Sequence, residues 1–234
     1  MVHLAPSFDT VGWLTNDLST LKKVAEIMFA DTSFSSLCSS VDSIKLGILT
    51  PTLKIAEHHE QIESWLDGLS QSTVEIEDIN PVELELAEAF RILQGAEVIQ
   101  EHGEWLNTVK PRFADDIAAR FQQSALITEQ DVARAVTIRD GLCHKLNTVF
   151  SQCDVIVIPT TPGVAPLLDA SLESLGEFRK QLLSLTAIAG LAGLPQLHLP
   201  LFSFQGAPCG VSLIGRKGED FALMSWAEQL IGKE

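Results

Sequence analysis

The side chains able to do chemistry in this chain are few and scattered. Cys153 and Cys209 are the candidate nucleophiles and His198 the candidate base. His198 lies in an apolar strand-like run, where an imidazole is ordinarily a satisfied core group. Hydrolysis also needs donors for a developing oxyanion, and no G-x-S-x-G elbow or other Gly/Ser-rich turn supplies them. His58-His59-Glu60 is the one cluster with the look of a metal site. Neighbouring residues on a helix point about 100° apart, so the two imidazoles cannot share an ion, and a solvated helix face is the better reading. No catalytic residue, metal ligand or cofactor is therefore assigned.

A more informative stretch is Cys153-Asp154-Val155-Ile156-Val157-Ile158-Pro159-Thr160-Thr161-Pro162. The β-branched run Val155 to Ile158 has no polar face, as expected of a strand covered on both sides. Pro159 lacks an N–H, so the chain should leave the sheet there as a loop. Ligands in open α/β sheets sit beyond the carboxyl ends of the strands. That would put Thr160, Thr161 and Pro162 where a ligand binds; the plainer reading is a core strand with a proline-stiffened exit. Trp105 is added as a wall for an apolar substrate, although a large aromatic after a helix is more often core.

The surrounding elements follow from periodicity. Thr15 caps a helix over residues 16–29, and 31–43 is a Ser-rich loop. Residues 43–50 and 72–79 read as strands around a helix over 55–69, a βαβ unit whose strands should pair in parallel. A helix starts at Pro81 and ends or bends near Gly103-Glu104-Trp105. Thr128 and Asp131 open another helix with a capping-box pattern. After the central strand come a crossover loop over 166–174, a helix over 176–192 and strands over 194–201 and 209–216. A last helix covers 220–231. The fold class is α/β, with a mixed, largely parallel sheet of about five strands, helices on both faces and one domain over 1–234.

Bulk composition excludes several partners. The 234 residues carry 31 acidic and 16 basic side chains, for a net charge of −15, which disfavours nucleic acid and anionic membranes. No apolar run reaches the roughly 18 residues of a membrane span, and no signal-peptide pattern occurs. The four cysteines form no C-x-x-C pair, which suits buried, reduced thiols in the cytoplasm.

Several stretches carry a resemblance. "CDVIVIPTTPGVAP", "LLSLTAIAGLAGLPQLHLPL" and "GAPCGVSLIGRKGEDFALMSWAEQL" resemble the C-terminal part of amidase-signature hydrolases. "LAPSFDTVGWLTNDLSTLKKVAEIMF" is similar to the segment just downstream of that family's catalytic core, where Asp9 would be a supporting hydrogen-bonding residue or simply the anchor of a turn. "FRILQGAEVIQEHGEWLNTVKPRF" is similar to a middle segment of indoleacetamide-type and small-amide amidases. The resemblance implies hydrolysis of a carboxamide to carboxylate and ammonia by a Ser–cis-Ser–Lys triad, with no cofactor. The serines of that triad belong upstream of the matching stretches, so the resemblance implies a truncated chain, inactive alone. It would act on a small amide once complemented by an N-terminal portion or a second chain. A homo-oligomer is a further expected state. The other reading is a non-catalytic amidase-like binding or scaffold module.

Overall fold

The structure is a computed structural model that describes residues 3–29 and 44–232. The expected Ser-rich loop over 31–43, with Cys38, lies outside the described residues. Five strands form one sheet in the order β2-β1-β3-β5-β4. They are β1 (Lys45–Leu49), β2 (Ser72–Ile76), β3 (Val155–Pro159), β4 (Gln196–Phe204) and β5 (Ala207–Ile214). β1 pairs in parallel with β2 and with β3, whereas β5 runs antiparallel to β3 and β4. Four strands thus share one direction and β5 opposes them, giving the mixed sheet expected from the sequence.

β3 is the middle strand and every residue of it is buried. Its alternate side chains feed two cores, as the twofold strand repeat requires. Ile156 and Ile158 point to a core built with α4 (Leu86–Val109), α6 (Glu129–Phe150) and α7 (Leu172–Ala192). Val155 and Val157 point to the opposite core, with α2 (Thr50–Leu53), α3 (His59–Asp67) and α8 (Asp220–Leu230). The remaining helices are α1 (Leu18–Met28) and α5 (Asp115–Ala125).

Local chemistry explains where the elements depart from the expected bounds. Asp17, not Thr15, caps α1: its carboxylate accepts from Thr20 N at 2.7 Å, while Thr15 Oγ1 donates to Asp17 O. Pro51 ends β1 and sits in the first turn of α2, where a missing N–H costs nothing. α4 starts at Leu86 rather than Pro81, because the chain turns through Glu85 at a positive φ of 53°. It then runs straight past Gly103 to Val109: one helical glycine costs about 1 kcal/mol, which packing against α6 and α7 outweighs. The capping box of α6 forms as expected between Thr128 and Asp131. α7 takes in Gly190, whose bare Cα lets Phe90 of α4 close in; a Cβ there would lie 2.7 Å from the ring. β4 continues beyond Pro200 because it is an edge strand with a bulge between Leu199 and Phe202. The β4–β5 hairpin turns on Gln205 and Gly206 alone, both at positive φ, as in a type I′ turn.

Candidate functional site

Three strands bring polar side chains to one place beyond the end of β3. Ile158 is the lateral partner of Ser212 on β5, and Ser212 is the partner of His198 on β4. Partners across a sheet share a face, and Thr160 lies two residues beyond Ile158, so all turn toward the α7 side. There Thr160 Oγ1 meets His198 Nδ1 at 2.6 Å and Ser212 Oγ at 2.9 Å. Gln196 Nε2 donates to Ser212 Oγ at 2.8 Å. Ser212 is fully buried, whereas His198 is exposed at the rim. The surrounding chain desolvates the imidazole and lowers its pKa, while a hydrogen bond between the ring and the Val211 backbone acts the other way. His198 is therefore no core group: it lies at the exposed end of a pair of hydroxyls of which Ser212 is buried and Thr160 half-buried.

The rest of the loop is fixed by backbone. Thr160 N donates to Gly210 O at 3.3 Å, Thr161 Oγ1 donates to Gly163 O at 2.8 Å, and Pro162 O accepts from Glu57 N at 2.7 Å. Pro162 and Gly163 are buried, and the Glu57 carboxylate stands 3.0 Å from where a Gly163 Cβ would be. Gly210 is tighter still: a Cβ there would fall 1.8 Å from Leu199 O, at the β4 bulge.

The position of His58 departs from the local pattern. It was expected on a solvated helix face, and His59 and Glu60 are indeed exposed, but His58 is completely buried at the start of α3. Its Nε2 meets Gly210 O at 3.3 Å, and its ring lies 6.5 Å and 6.2 Å from those of Phe202 and Phe204. The Gly210 carbonyl thus serves both His58 and the Thr160 backbone. The long-range approach of β4 and β5 covers this imidazole, and no local pattern carries that.

The other candidates fall elsewhere. Trp105 lies in α4, 45% exposed, with His102 and Phe113 as its ring partners among the described residues. Asp9 anchors a turn, accepting from Leu4 N at 3.0 Å and Ala5 N at 3.2 Å. Burial pushes the Cys153 thiol up to about 11. Burial and then the Glu57 charge also raise Cys209. Both thiols therefore stay protonated and poorly nucleophilic near neutrality. Two shallow depressions of about 480 and 520 Å³ run along α6. Neither is lined by Thr160, Thr161, Pro162 or Trp105.

Comparison with known proteins gives this arrangement its context. The family model described as Amidase matches residues 1–224. The chain belongs to the amidase family. It is similar to Amidase 1 of Arabidopsis thaliana, 29% identical over 98% of this chain and 61% of that protein. It is also similar to the chloroplastic Outer envelope protein 64 of Arabidopsis thaliana, 25% identical over 98% of this chain and 44% of the relative. A solved structure described as an amidase superposes with a TM-score of 0.82 at 24% identity, covering 98% of this chain and 55% of the other, a likeness of fold. The amidase-family chain thus spans 61% and 44% of the lengths of these two curated relatives. Among its described residues no helix is long and apolar enough to cross a membrane.

Proposed function

We propose that this chain is the pocket-bearing, C-terminal portion of a carboxamide hydrolase, one domain that holds a small amide while the reacting groups come from elsewhere. The observation that carries the reading is the family match over residues 1–224, with the half-buried Thr160 and Thr161 following the carboxyl end of β3. In this reading Thr160, Thr161 and Pro162 contact the substrate, and Trp105 is a more distant apolar wall. No residue of the chain is given the part of nucleophile or base, because Cys153 and Cys209 are held as thiols and neither is paired with an imidazole among the described hydrogen bonds. The partner is a longer polypeptide or a second chain bearing the serines and lysine, and it would cover the exposed Leu167, Leu168 and Leu172. Reduced cysteines support a cytoplasmic setting, which cell fractionation would check.

Ammonia release tests this reading. The purified 234-residue chain should turn over no aliphatic or aryl amide, yet should bind some of them. Turnover near the enzyme median of about 10 per second would overturn it. A second reading, a non-catalytic binding module, has one observation in its favour: Outer envelope protein 64 is named for its place and not for a reaction. A monodisperse, stable monomer that neither binds nor hydrolyses amides would favour that reading.

A further inference from the structure

Cys143, Leu146, Asn147 and Phe150 recur at helical spacing on α6 and line the larger of the two depressions, of about 520 Å³. Leu146 and Phe150 are buried, and Leu194, just past the end of α7, is half-buried, so the floor is apolar. The charge at the rim runs against that of the whole chain. Arg216 and Lys217 line it and no acidic side chain does, although the chain carries 31 acidic and 16 basic residues. The two cations differ in what is left to them. Arg216 donates to the Phe150 and Cys153 carbonyls and pairs with Glu219. Lys217 is exposed and has no hydrogen bond or ion pair among the described residues, and the same is true of the exposed Asn147 side chain. Helix carbonyls at the ends of α6 and α7 would oppose an anion here, but they are answered. Arg216 donates to Phe150 O, Ser151 Oγ to Thr148 O and Leu194 N to Ala189 O.

We propose that this depression binds a monocarboxylate with an apolar body, of which benzoate is the simplest aromatic member. The carboxylate meets the Lys217 ammonium and the Asn147 amide N–H, and the body lies on Leu146, Phe150 and Leu194. Free donors of this kind suit an anion, and an apolar floor suits the rest of the molecule. The net charge of −15 repels anions at a distance, but at physiological salt that field is largely screened beyond about 8 Å. At contact Lys217 decides. No residue of β3 lines the depression, and neither do Thr160, Thr161 and Pro162, so the site is separate from the carboxamide loop and stands without that reading. Where both hold, the acid released by amide hydrolysis is a ligand of this class, and the depression is a place where product acts back on the protein.

Cys143 gives the site its own reporter. It is half-buried in the wall, whereas Cys153 and Cys209 are buried. The 234-residue chain is alkylated with iodoacetamide and read peptide by peptide, so that Cys143 is counted apart from the other thiols. Benzoate, at constant ionic strength, should slow labelling of Cys143 several-fold at saturation. Benzamide has the same ring without the charge and should need about tenfold more for equal protection, the effect of one charge-assisted hydrogen bond. Lys217→Gln should remove the difference between the two ligands and Lys217→Arg should keep it. The melting temperature should hold in both variants, because the side chain is exposed. Calorimetric titration of benzoate into the parent and Lys217→Gln repeats the comparison without the thiol. Equal protection by benzoate and benzamide, or benzoate binding that survives Lys217→Gln, overturns the proposal. So does benzoate binding that leaves Cys143 labelling unchanged, or no binding at all. Failure of amides to bind at the Thr160 loop would overturn the carboxamide reading and leave this site standing.

Discussion

The two ends of β3 are built from similar polar groups and put to opposite uses. At the amino end everything closes on itself. Arg216 Nη2 donates to Phe150 O at 2.6 Å and to Cys153 O at 3.0 Å, and its guanidinium lies 5.2 Å from the Phe150 ring centroid. Asp154 accepts from Lys45 N at 2.9 Å, and Cys153 Sγ donates to Val149 O. These contacts stitch the end of α6 to the start of the strand and answer the carbonyls that a helix leaves open. At the carboxyl end the chain of hydroxyls stops at an exposed imidazole. A buried, saturated end is a joint; an end that finishes at an exposed side chain is a place for something else to bind.

Substitutions can break that contrast, and the largest effect should come from Gly210→Ala. The added Cβ would sit 1.8 Å from the Leu199 carbonyl, which as backbone cannot step aside. A loss of about 4 kcal/mol or more in urea unfolding is expected, with collapse of the Thr160 loop. Gly47→Ala at the amino end is the matched control. Its Cβ would meet Cys153 Sγ at 2.6 Å, a side-chain atom with some room to turn, so the cost should be about half as great. If the two cost the same, the carboxyl end is no more rigid than the joint.

Arg216→Met should come next. It removes charge-assisted bonds to the Phe150 and Cys153 carbonyls, a longer one to Asp154 O and the pairing with Glu219, but keeps much of the contact with Phe150, so about 2–3 kcal/mol should be lost. Amide binding by the folded protein should not change. Thr160→Val should act on binding as well as on stability, costing about 1–3 kcal/mol because the buried Ser212 hydroxyl loses a partner and weakening carboxamide binding several-fold, as read by calorimetric titration. If Thr160→Val alters only stability, the carboxyl end is another joint.

The smallest expected effect is a pH dependence. His198 has a folded pKa below its unfolded value, so the unfolded chain takes up a proton first as pH falls. Its contribution to stability is complete above about pH 6.5 and declines as pH falls from there toward the folded value. His198→Phe should flatten that slope. Cys153 gives an alkaline counterpart: its thiol titrates near 11 when folded against 9.0 in the free group, so its contribution is lost as pH rises between those values.

Legibility in the sequence followed the range of the interactions. The strand Val155–Ile158, the capping box at Thr128 and the parallel βαβ pairing were readable, because each is written in a few adjacent residues. α5 is not legible: Asp115–Ala125 buries none of its residues fully, so it offers no core stripe to detect. The Thr160 loop was placed from Pro159 and the strand before it. Its partners Gln196, His198 and Ser212 were not, since only the register between β3, β5 and β4 brings them to one face. The burial of His58 is hidden from the sequence for the same reason.

The strand order carries a consequence for how the chain folds. The β4–β5 hairpin closes on a two-residue turn, and β1 and β2 are joined by a short helical crossover. β3 must instead find β1 across 109 residues of chain, the separation of Lys45 and Asp154. Long closures slow folding, so the hairpin and the βαβ unit should assemble early and wait for the central strand. Until β3 arrives, both would expose the edges it later occupies. Dilute, cool refolding should therefore give the best recovery of native chain.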